Sequence, residues 1–321
     1  MEKDSVIWVA GQRGLVGSAI VRELKKQGYT NVIDIYDEEP KLDRSYPYDL
    51  RKTSHVFELL HKYNPEYIFL AAAMVGGIMR NNNQSAEMIH NNLQIQNNVI
   101  YAAEKMNVKK LLFLGSSCIY PKHCEQPIKE EYLLTGELES TNIGYAVAKI
   151  AGLTMCEMYR KQYGCNFISA MPTNLYGPGD NFNLENSHVM PALIRKFHEA
   201  KLRGDAAVEL WGSGTPKREF LYIDDLAKGL IFLMNEYNKG QHINVGVGED
   251  ISIQDLALII KDIVGYEGEI LWDARKPDGT PRKLLDVSKI NRLGWEAETG
   301  LKDGIKKTYK WFIENYKSSR L

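Results

Sequence analysis

The chain has 321 residues, of which 25% are charged, and its formal net charge is −1. This length allows a large core and a second domain, while the balanced charge gives no sign of a nucleic-acid partner or an anionic membrane surface. No apolar run approaches the roughly 20 residues of a membrane span. The four cysteines lack zinc or redox spacing, and no secretion signal precedes the first strand, so we expect no metal and a cytoplasmic location.

Apolar runs and turn signals predict alternating strands and helices. In chain order they are a strand at 6–10, a helix at 15–27, strand 31–36, helix 53–63, strand 66–72, helix 86–106, strand 110–115, helix 144–163 and strand 167–171. This alternation predicts an α/β fold with a doubly wound parallel (Rossmann) sheet. We assign residues 1–175 and about 219–247 to a dinucleotide-binding domain. A smaller, interleaved substrate domain takes about 176–218 and 248–321.

Three glycines follow the first predicted strand and open the first helix: Gly11, Gly14 and Gly17. Glycine permits a tight turn and close backbone approach, and the N–H groups of a helix start suit a pyrophosphate. An ordinary strand–helix turn has the same spacing, but the position directly after a buried strand favours a dinucleotide site.

Two signals about the cofactor conflict. Arg13 lies within the glycine turn and could reach a ribose 2′-phosphate, which favours NADPH. Asp34 and Asp37 end the second predicted strand, where an acid usually binds the free 2′-hydroxyl of NAD, so NADH stays open. Asp49 and Leu50 are candidates for the adenine edge, with a helix cap before residue 53 as the alternative.

Tyr145 and Lys149 are one helical turn apart. A tyrosine hydroxyl with its usual pKa of about 10 is a sluggish acid at neutral pH. A nearby ammonium would favour the phenolate, so this pair could move a proton at a carbonyl as hydride moves. Ser116 or Ser117 could hydrogen-bond the same oxygen. Without the glycine turn, an exposed helix face would be the simpler interpretation.

Longer motifs extend over nearly the whole chain. They are 11–17 (GQRGLVG), 71–78 (AAAMVGGI), 114–121 (LGSSCIYP), 145–152 (YAVAKIAG), 171–178 (MPTNLYGP), 186–192 (NSHVMPA), 211–220 (WGSGTPKREF) and 276–287 (KPDGTPRKLLDV). With them the chain resembles the extended short-chain dehydrogenase/reductases and, among these, the GDP-L-fucose synthase family. That family carries out 3,5-epimerisation and C4 reduction of GDP-4-keto-6-deoxy-D-mannose.

The resemblance implies roles for two further residues. Cys118 matches the family's epimerisation base and His188 its acid, while Ser116 matches the serine that orients the carbonyl. A thiol and an imidazole both titrate near neutral pH, as such a pair should. Taken alone, Cys118 would be read as a small buried side chain and His188 as a packed or capping histidine.

The resemblance also implies binding residues and an assembly. Contacts to the GDP-sugar fall on Lys196, Trp211, Arg218 and Asp278, although Trp211 could equally be a core residue. Further cofactor contacts fall on Ala71, Ala73, Lys149, Pro172, Asn174, Leu175 and His188. NADPH and a homodimer that pairs through the two long helices are the family's expectations.

Departures from the family pattern keep other functions open. Met74 stands where family members often have lysine, and the acidic end of the second strand weighs against NADPH. One alternative is a C4-reductase, with or without epimerase activity, for a related GDP-4-keto sugar such as a 6-deoxyheptose. Another is a nucleotide-sensing binding protein, which the retention of Tyr145 and Lys149 disfavours. A 4,6-dehydratase would need an acidic pair where Cys118 and Ile119 stand.

Overall fold

A computed structural model describes residues 1–35, 48–276 and 278–316. Its strands are β1 (Ile7–Ala10), β2 (Tyr67–Leu70), β3 (Lys110–Leu114), β4 (Phe167–Pro172), β5 (Asn174–Tyr176), β6 (Ala207–Trp211), β7 (Lys217–Arg218), β8 (Phe220–Tyr222), β9 (Ile243–Val245), β10 (Ile251–Ser252), β11 (Glu269–Asp273) and β12 (Arg282–Lys283). Its α-helices are α1 (Leu15–Lys26), α2 (Thr53–Tyr63), α3 (Ile78–Asn83), α4 (Ser85–Lys105), α5 (Ile143–Tyr163), α6 (Val189–Arg203), α7 (Ile223–Glu236), α8 (Ile253–Val264), α9 (Ser288–Leu293) and α10 (Leu301–Asn315).

A five-stranded parallel sheet forms the centre of the larger layer, in the order β1-β2-β3-β4-β9. Its strands are almost continuously apolar and buried, as expected where helices cover both faces of a parallel sheet. Helix α1 packs against α7, while α4 packs against α2 and α5. The predicted α/β fold is therefore confirmed, and the predicted helices differ from the observed ones by about one residue at their ends.

Of the second predicted strand, residues 31–36, the described part at 31–35 forms a single parallel bridge, between Ile7 and Val32. Two backbone hydrogen bonds make it: Ile7 N–H donates to Asn31, and Ile33 N–H donates to Ile7. Just beyond the bridge, Gln12 donates from Nε2 to Oδ1 of Asp34 at 2.7 Å. Beyond Val32, the described contact with the glycine turn is therefore the side-chain hydrogen bond of Asp34 with Gln12. Residues 36 and 37 lie outside the described residues.

A smaller group of elements surrounds a second hydrophobic core. It contains the short sheets β10-β7-β12, β11-β6 and β5-β8, and helices α6, α8 and α10 pack there through residues such as Phe197, Ile260 and Phe312. Ile290 and Trp295 come from the segment that we assigned to the substrate domain, yet they pack in the first core. The exact domain boundaries stay a prediction.

No helix in the described part of the chain is long and apolar enough to cross a membrane.

Candidate active site

The glycine turn is held by backbone contacts that exclude side chains. Gly11 has φ +91°, and a Cβ on it would lie 2.8 Å from the backbone nitrogen of Ala72. A Cβ on Gly17 would lie 2.1 Å from the carbonyl oxygen of Gly11. Gly14 donates its N–H to that same oxygen at 2.9 Å. These approaches explain why glycine is needed at the turn, beyond any role in binding.

The turn leads into an uncapped helix N-terminus. Gly14 is the N-cap residue of α1, and no side chain caps it. The first N–H groups of α1 are therefore available for an anion, and the helix dipole adds to the attraction. Ala71, which bonds to Ala10 of β1, and half-buried Ala73 line the adjacent end of β2. The arrangement fits the pyrophosphate of a nicotinamide dinucleotide.

The residues predicted to contact the adenosine half of the cofactor have different positions and partners in the structure. Arg13 is exposed on the glycine turn, Asp34 is bonded to Gln12, and Asp37 lies outside the described residues. Asp49 does not cap α2, because the N-cap is Lys52 and has no side-chain partner.

Asp49 instead pairs with the guanidinium of Arg51 at 2.9 Å. The carbonyl of Leu50 accepts from Asn98 of α4 at 3.0 Å. These bonds hold residues 49–51 against α4, so the capping alternative is wrong and the adenine contact stays a prediction.

Lys149 is only 3% exposed, and its Nζ donates to the carbonyl oxygen of Leu114 at 2.8 Å. The ammonium lies 5.7 Å from the ring centroid of Tyr145 and 4.9 Å from that of Phe113. Burial lowers the pKa of Lys149 to about 7. One turn of α5 therefore brings together the tyrosine and lysine that the sequence singled out.

The pKa of Tyr145 moves opposite to our expectation. Burial raises it, the negative charge of a Cys118 thiolate raises it further, and only the hydrogen bond with Ser116 lowers it. The expected stabilisation of the phenolate by Lys149 is not seen, because Lys149 is itself desolvated and donates to Leu114. In this state Tyr145 holds its proton, as suits a donor.

Ser116 and Cys118 lie just beyond the end of β3, where residues 117–119 form a 3₁₀ turn. Ser116 Oγ accepts from the backbone N–H of Cys118 at 3.2 Å, and its hydroxyl lies near enough to Tyr145 to lower the pKa of the phenol. Ser117 is buried, at 4% exposure. The structure thus selects Ser116 over Ser117 as the partner of Tyr145, and it leaves the thiol of Cys118 half-buried.

A residue that the sequence did not single out contacts this thiol. Lys283 of β12 places its Nζ 3.6 Å from Sγ of Cys118. The two residues are 165 positions apart in the chain, so no local pattern could have paired them. Lys283 stands within the motif at 276–287, and that motif was the only available signal.

His188 precedes α6 at the N-cap position, but its side chain makes no capping bond. The protein around it removes bulk water and lowers the pKa of its imidazole, and the positive charge of Lys283 lowers it further. Because the side chain of His188 is itself exposed, the loss of bulk water lowers this pKa less than full burial would. The loop before α3 fixes this region: Gly77 donates to Asn186 at 3.2 Å, and a Cβ on Gly77 would lie 2.7 Å from Ser187 O.

Met74, the departure from the family pattern, lies in the same loop. Asn92 of α4 holds its backbone by two hydrogen bonds of 2.9 Å, one to the N–H and one to the carbonyl. The backbone of this segment is therefore anchored independently of the side chain at position 74.

The predicted GDP-sugar residues form two groups. Trp211 is 48% exposed and so is not a core residue, with Lys196 and Lys276 at 5.9 and 5.1 Å from its ring. Asp278 accepts from the N–H and hydroxyl of Ser213 at 2.8 and 2.9 Å. An exposed indole with two cations and a carboxylate nearby suits a nucleoside diphosphate.

Arg218 belongs to the side of the cleft that carries Cys118. Burial lowers the pKa of its guanidinium, while the negative charges of Cys118, Asp278 and Glu139 raise it. Its Nη1 donates to the carbonyl of Lys217 at 2.8 Å. Arg218 therefore lies between Cys118 on one side and Asp278 on the other.

The residues predicted to contact the nicotinamide lie at the end of β4 and in β5, next to the backbone of Glu219. Pro172 pairs with Val245 at the end of β4, and Asn174 donates to the carbonyl of Glu219 at 2.8 Å. Leu175 follows in β5, packed against the first core.

Glu219 is 0% exposed, and its carboxylate accepts from three backbone N–H groups. They belong to Val247, Gly248 and Leu285, at 2.5, 2.8 and 2.9 Å. Glu219, which sequence reasoning missed, thus ties together two segments, residues 247–248 and residue 285.

Among the residues described, no cluster of His, Cys, Asp and Glu is arranged to hold a metal ion. The four cysteines are free thiols.

Residues 7–246 match the NAD dependent epimerase/dehydratase family. With this match and the dinucleotide turn, the chain belongs to that family. Within it, the chain is 52% identical to "GDP-L-fucose synthase 1" of Arabidopsis thaliana, over 98% of this chain and 95% of that protein. The resemblance to the GDP-L-fucose synthases is therefore confirmed over nearly the full length.

Two solved structures are similar throughout. A GDP-L-fucose synthetase from Naegleria fowleri, bound to NADP, has a TM-score of 0.90 and 32% identity, covering 100% of this chain and 98% of its own. A GDP-6-OMe-4-keto-L-xylo-heptose reductase from C. jejuni has a TM-score of 0.91 and 39% identity, covering 98% of this chain and 99% of its own. The fold is common to both, so fold alone does not separate their substrates.

Proposed function

We propose that this protein is a GDP-L-fucose synthase, which epimerises GDP-4-keto-6-deoxy-D-mannose at C3 and C5 and then reduces the C4 ketone. The observation that carries the proposal is the position of Ser116, whose hydroxyl accepts from the backbone N–H of Cys118 and lies close enough to Tyr145 to lower the pKa of its phenol. A carbonyl held at Ser116 is then within reach of an epimerisation base and of a proton donor. The 52% identity to the Arabidopsis synthase supports the choice of substrate.

Epimerisation uses the acidity that a ketone gives to its neighbouring C–H bonds. The Cys118 thiolate takes a proton from C3 or C5, the C–H electron pair becomes the C=C bond of an enolate, and the ketone oxygen takes the charge. His188 returns a proton to the opposite face of the carbon. Cys118 ends protonated and His188 deprotonated, and both recover through solvent. This order requires that epimerisation precede reduction.

Reduction uses the other half of the same site. A bound reduced nicotinamide supplies the hydride that C4 receives. Tyr145 gives its proton to O4, and Ser116 donates a hydrogen bond to that oxygen. The ketone becomes an alcohol, and Tyr145 is left as a phenolate. A low pKa makes Lys149 a labile proton carrier at neutral pH, able to resupply Tyr145.

For the cofactor we propose NADPH. The Naegleria synthetase is bound to NADP, and Arg13 on the exposed side of the glycine turn could meet a 2′-phosphate. NADH is the alternative, since Asp34 lies at the same turn through Gln12. The free cysteines suit a reducing cytoplasm, which is where we place the reaction.

A second function deserves a test because of one comparison. The C. jejuni heptose reductase shares the fold at 39% identity. A C4-reductase for a related GDP-4-keto sugar would retain Tyr145, Lys149 and Ser116 but would need neither Cys118 nor His188. The two functions therefore differ in whether solvent protons enter at C3 and C5.

The test is product analysis by mass spectrometry and NMR after turnover in D₂O with GDP-4-keto-6-deoxy-D-mannose and NADPH. We expect deuterium at C3 and C5 from the wild type, but mainly unepimerised, little-labelled product from Cys118→Ser. His188→Gln should still remove some protons but return few on the opposite face. Cys165→Ser, between α5 and β4 and packed against the first core, serves as the matched control. Wild-type product without deuterium at both carbons would leave a simple C4-reductase.

A further inference from the structure

The ammonium of Lys283 contacts a sulfur atom, that of Cys118, whereas the neighbouring cations contact oxygen atoms. Its Nζ–Sγ distance of 3.6 Å is that of a hydrogen bond to sulfur. Lys283 also acts electrostatically on His188 and on Cys124. One ammonium therefore reaches both proposed groups of the epimerisation.

The strand that carries Lys283 is tied down on both sides. In β12 it lies opposite Arg218 of β7, and its carbonyl accepts from Glu219 N–H at 3.3 Å. The next residue, Leu284, donates to Gln126 at 2.9 Å and accepts from Ile128 at 2.7 Å. The buried carboxylate of Glu219 then holds Leu285. These bonds fix where the side chain of Lys283 begins, so its approach to Cys118 is set by the fold.

Other charged and titratable groups border Cys118 on every element that packs there. They are Arg218, Tyr145, Lys122, Glu139 and Arg282, while His188 and Cys124 face Lys283.

The neighbouring cations have partners of their own. Lys122 pairs with Glu139 at 2.9 Å, and Arg282 pairs with Asp250 at 2.5 Å. Arg218 donates to the carbonyl of Lys217 at 2.8 Å. Of the cations in the described ranges, Lys283 is the one with a hydrogen bond to Sγ of Cys118.

We propose that Lys283 is a positioning residue that holds Cys118 as a thiolate and so sets the pH range of C3 and C5 proton removal, without serving C4 reduction. This inference rests on the proposed function. An ammonium beside a thiol favours the charged sulfur, which is the form that can accept a proton. Lys283 keeps its own protons throughout, so only Cys118 and His188 exchange protons with the sugar.

The first measurement needs no turnover. Iodoacetamide is reacted with the whole protein across a pH series, and tryptic digestion separates Cys118, on residues 111–122, from Cys124, on residues 123–129. In Lys283→Met the midpoint of the Cys118 rate profile should rise by about one pH unit or more, the size that a nearby opposite charge produces. Lys283→Arg should restore most of the shift. Cys165 reports whether the fold has changed generally.

The alkylation result alone decides whether Lys283 acts on the thiol. An unmoved Cys118 profile in Lys283→Met, with Cys165 labelling as in the wild type, would overturn the proposal. So would a midpoint that Lys283→Arg fails to restore although that variant has the wild-type Tm. If Lys283 instead binds the diphosphate, KM rises in Lys283→Met while the alkylation profile stays in place, which also counts against the proposal.

A second measurement compares the two reactions. Near neutral pH, Lys283→Met should lose about tenfold in solvent-deuterium entry at C3 and C5, as one pH unit implies, and should recover as pH rises. The rate of ketone reduction should change less than twofold. Wild-type labelling in Cys118→Ser would defeat the proposed function itself. Loss of labelling in Cys118→Ser with an unchanged pH profile in Lys283→Met defeats only this inference.

Discussion

The ammonium of Lys149 donates to the carbonyl oxygen of Leu114 at 2.8 Å, at the point where β3 ends and the Ser116 turn begins. This bond crosses from α5 to the sheet, so it fixes the helix that carries Tyr145 against the strand that leads to Ser116. It also holds an ionisable group where water is largely excluded, since Lys149 is 3% exposed. Burying the charged form of Lys149 therefore costs free energy, and this cost should lower the free energy of unfolding.

We expect the pH dependence of stability to report that cost. Burial lowers the pKa of Lys149 from 10.5 to about 7. Between these values the unfolded chain binds a proton that the folded protein lacks, so the free energy of unfolding gains up to about 1.4 kcal/mol per pH unit from this group. The penalty is complete below about pH 7 and shrinks as pH rises. Lys149→Met should remove this gain.

Urea unfolding at about pH 7 and pH 9, without cofactor, measures the difference. Lys110 is also buried, and its lowered pKa of about 8 contributes a similar slope to both proteins, so it cancels in the comparison. The exposed Lys306 provides the control, because Lys306→Met should keep the wild-type slope. Equal slopes for wild type and Lys149→Met would contradict the assigned burial effect.

Loss of the Tyr145 hydroxyl should separate cofactor binding from reduction. Tyr145→Phe removes the transferable proton and keeps the ring, so cofactor affinity should stay within about twofold. Reduction should fall by roughly 10²–10⁴-fold, the usual range for a general acid. Tyr159→Phe on the same helix, where the ring stacks on Phe167, should reduce at the wild-type rate. Near-normal turnover in Tyr145→Phe would mean that another group supplies the proton.

Arg13 offers a test of the proposed preference for NADPH. If its guanidinium meets the 2′-phosphate, Arg13→Gln should lower kcat/KM for NADPH by about 10- to 100-fold, in line with about 1.5–3 kcal/mol for a charged hydrogen bond. The value for NADH should change little. Arg22→Gln is the control, because Arg22 lies on α1 but pairs with Asp224 at 2.9 Å. Equal losses with both cofactors would argue against a 2′-phosphate contact.

The sequence was sufficient wherever chemistry depends on local spacing. The glycine turn and the Tyr145–Lys149 pair each need residues within two helical turns, and the structure has the turn at the start of α1 and the pair on one turn of α5, while their roles in binding and catalysis stay predictions. The parallel sheet followed from buried apolar runs of the right length. The second strand was overestimated within the described residues 31–35, where the pairing with β1 is one bridge.

Contacts between residues far apart in the chain could not be predicted from a single sequence. Glu219 would ordinarily be taken for a surface carboxylate, yet three backbone donors from two loops surround it in the core. Lys283 likewise meets Cys118 only because β12 pairs with β7. The direction of the Tyr145 pKa was also missed, because burial is a property of the folded chain and not of its motif.

The two long helices lead to a final prediction, that the protein is a homodimer. Helices α4 and α5 pack against each other on one side of the sheet. Along α5, Ile143, Val147 and Met158 are 49%, 39% and 48% exposed. At 100° per residue these three positions fall within about 60° of one another, so they form one apolar stripe directed away from the core. An exposed stripe on paired long helices is typical of a protein–protein contact.

Met158→Glu places a charge at the C-terminal end of this stripe, and burying it unpaired would oppose association. Light scattering at about 10 μM should give twice 36.6 kDa for the wild type and 36.6 kDa for Met158→Glu. Leu202→Glu, at the end of α6 and 66% exposed, should remain a dimer. Because Tyr145 and Lys149 lie on the opposite face of α5, the monomeric variant should still bind cofactor. A wild-type mass of 36.6 kDa at this concentration would show that the stripe does not mediate pairing.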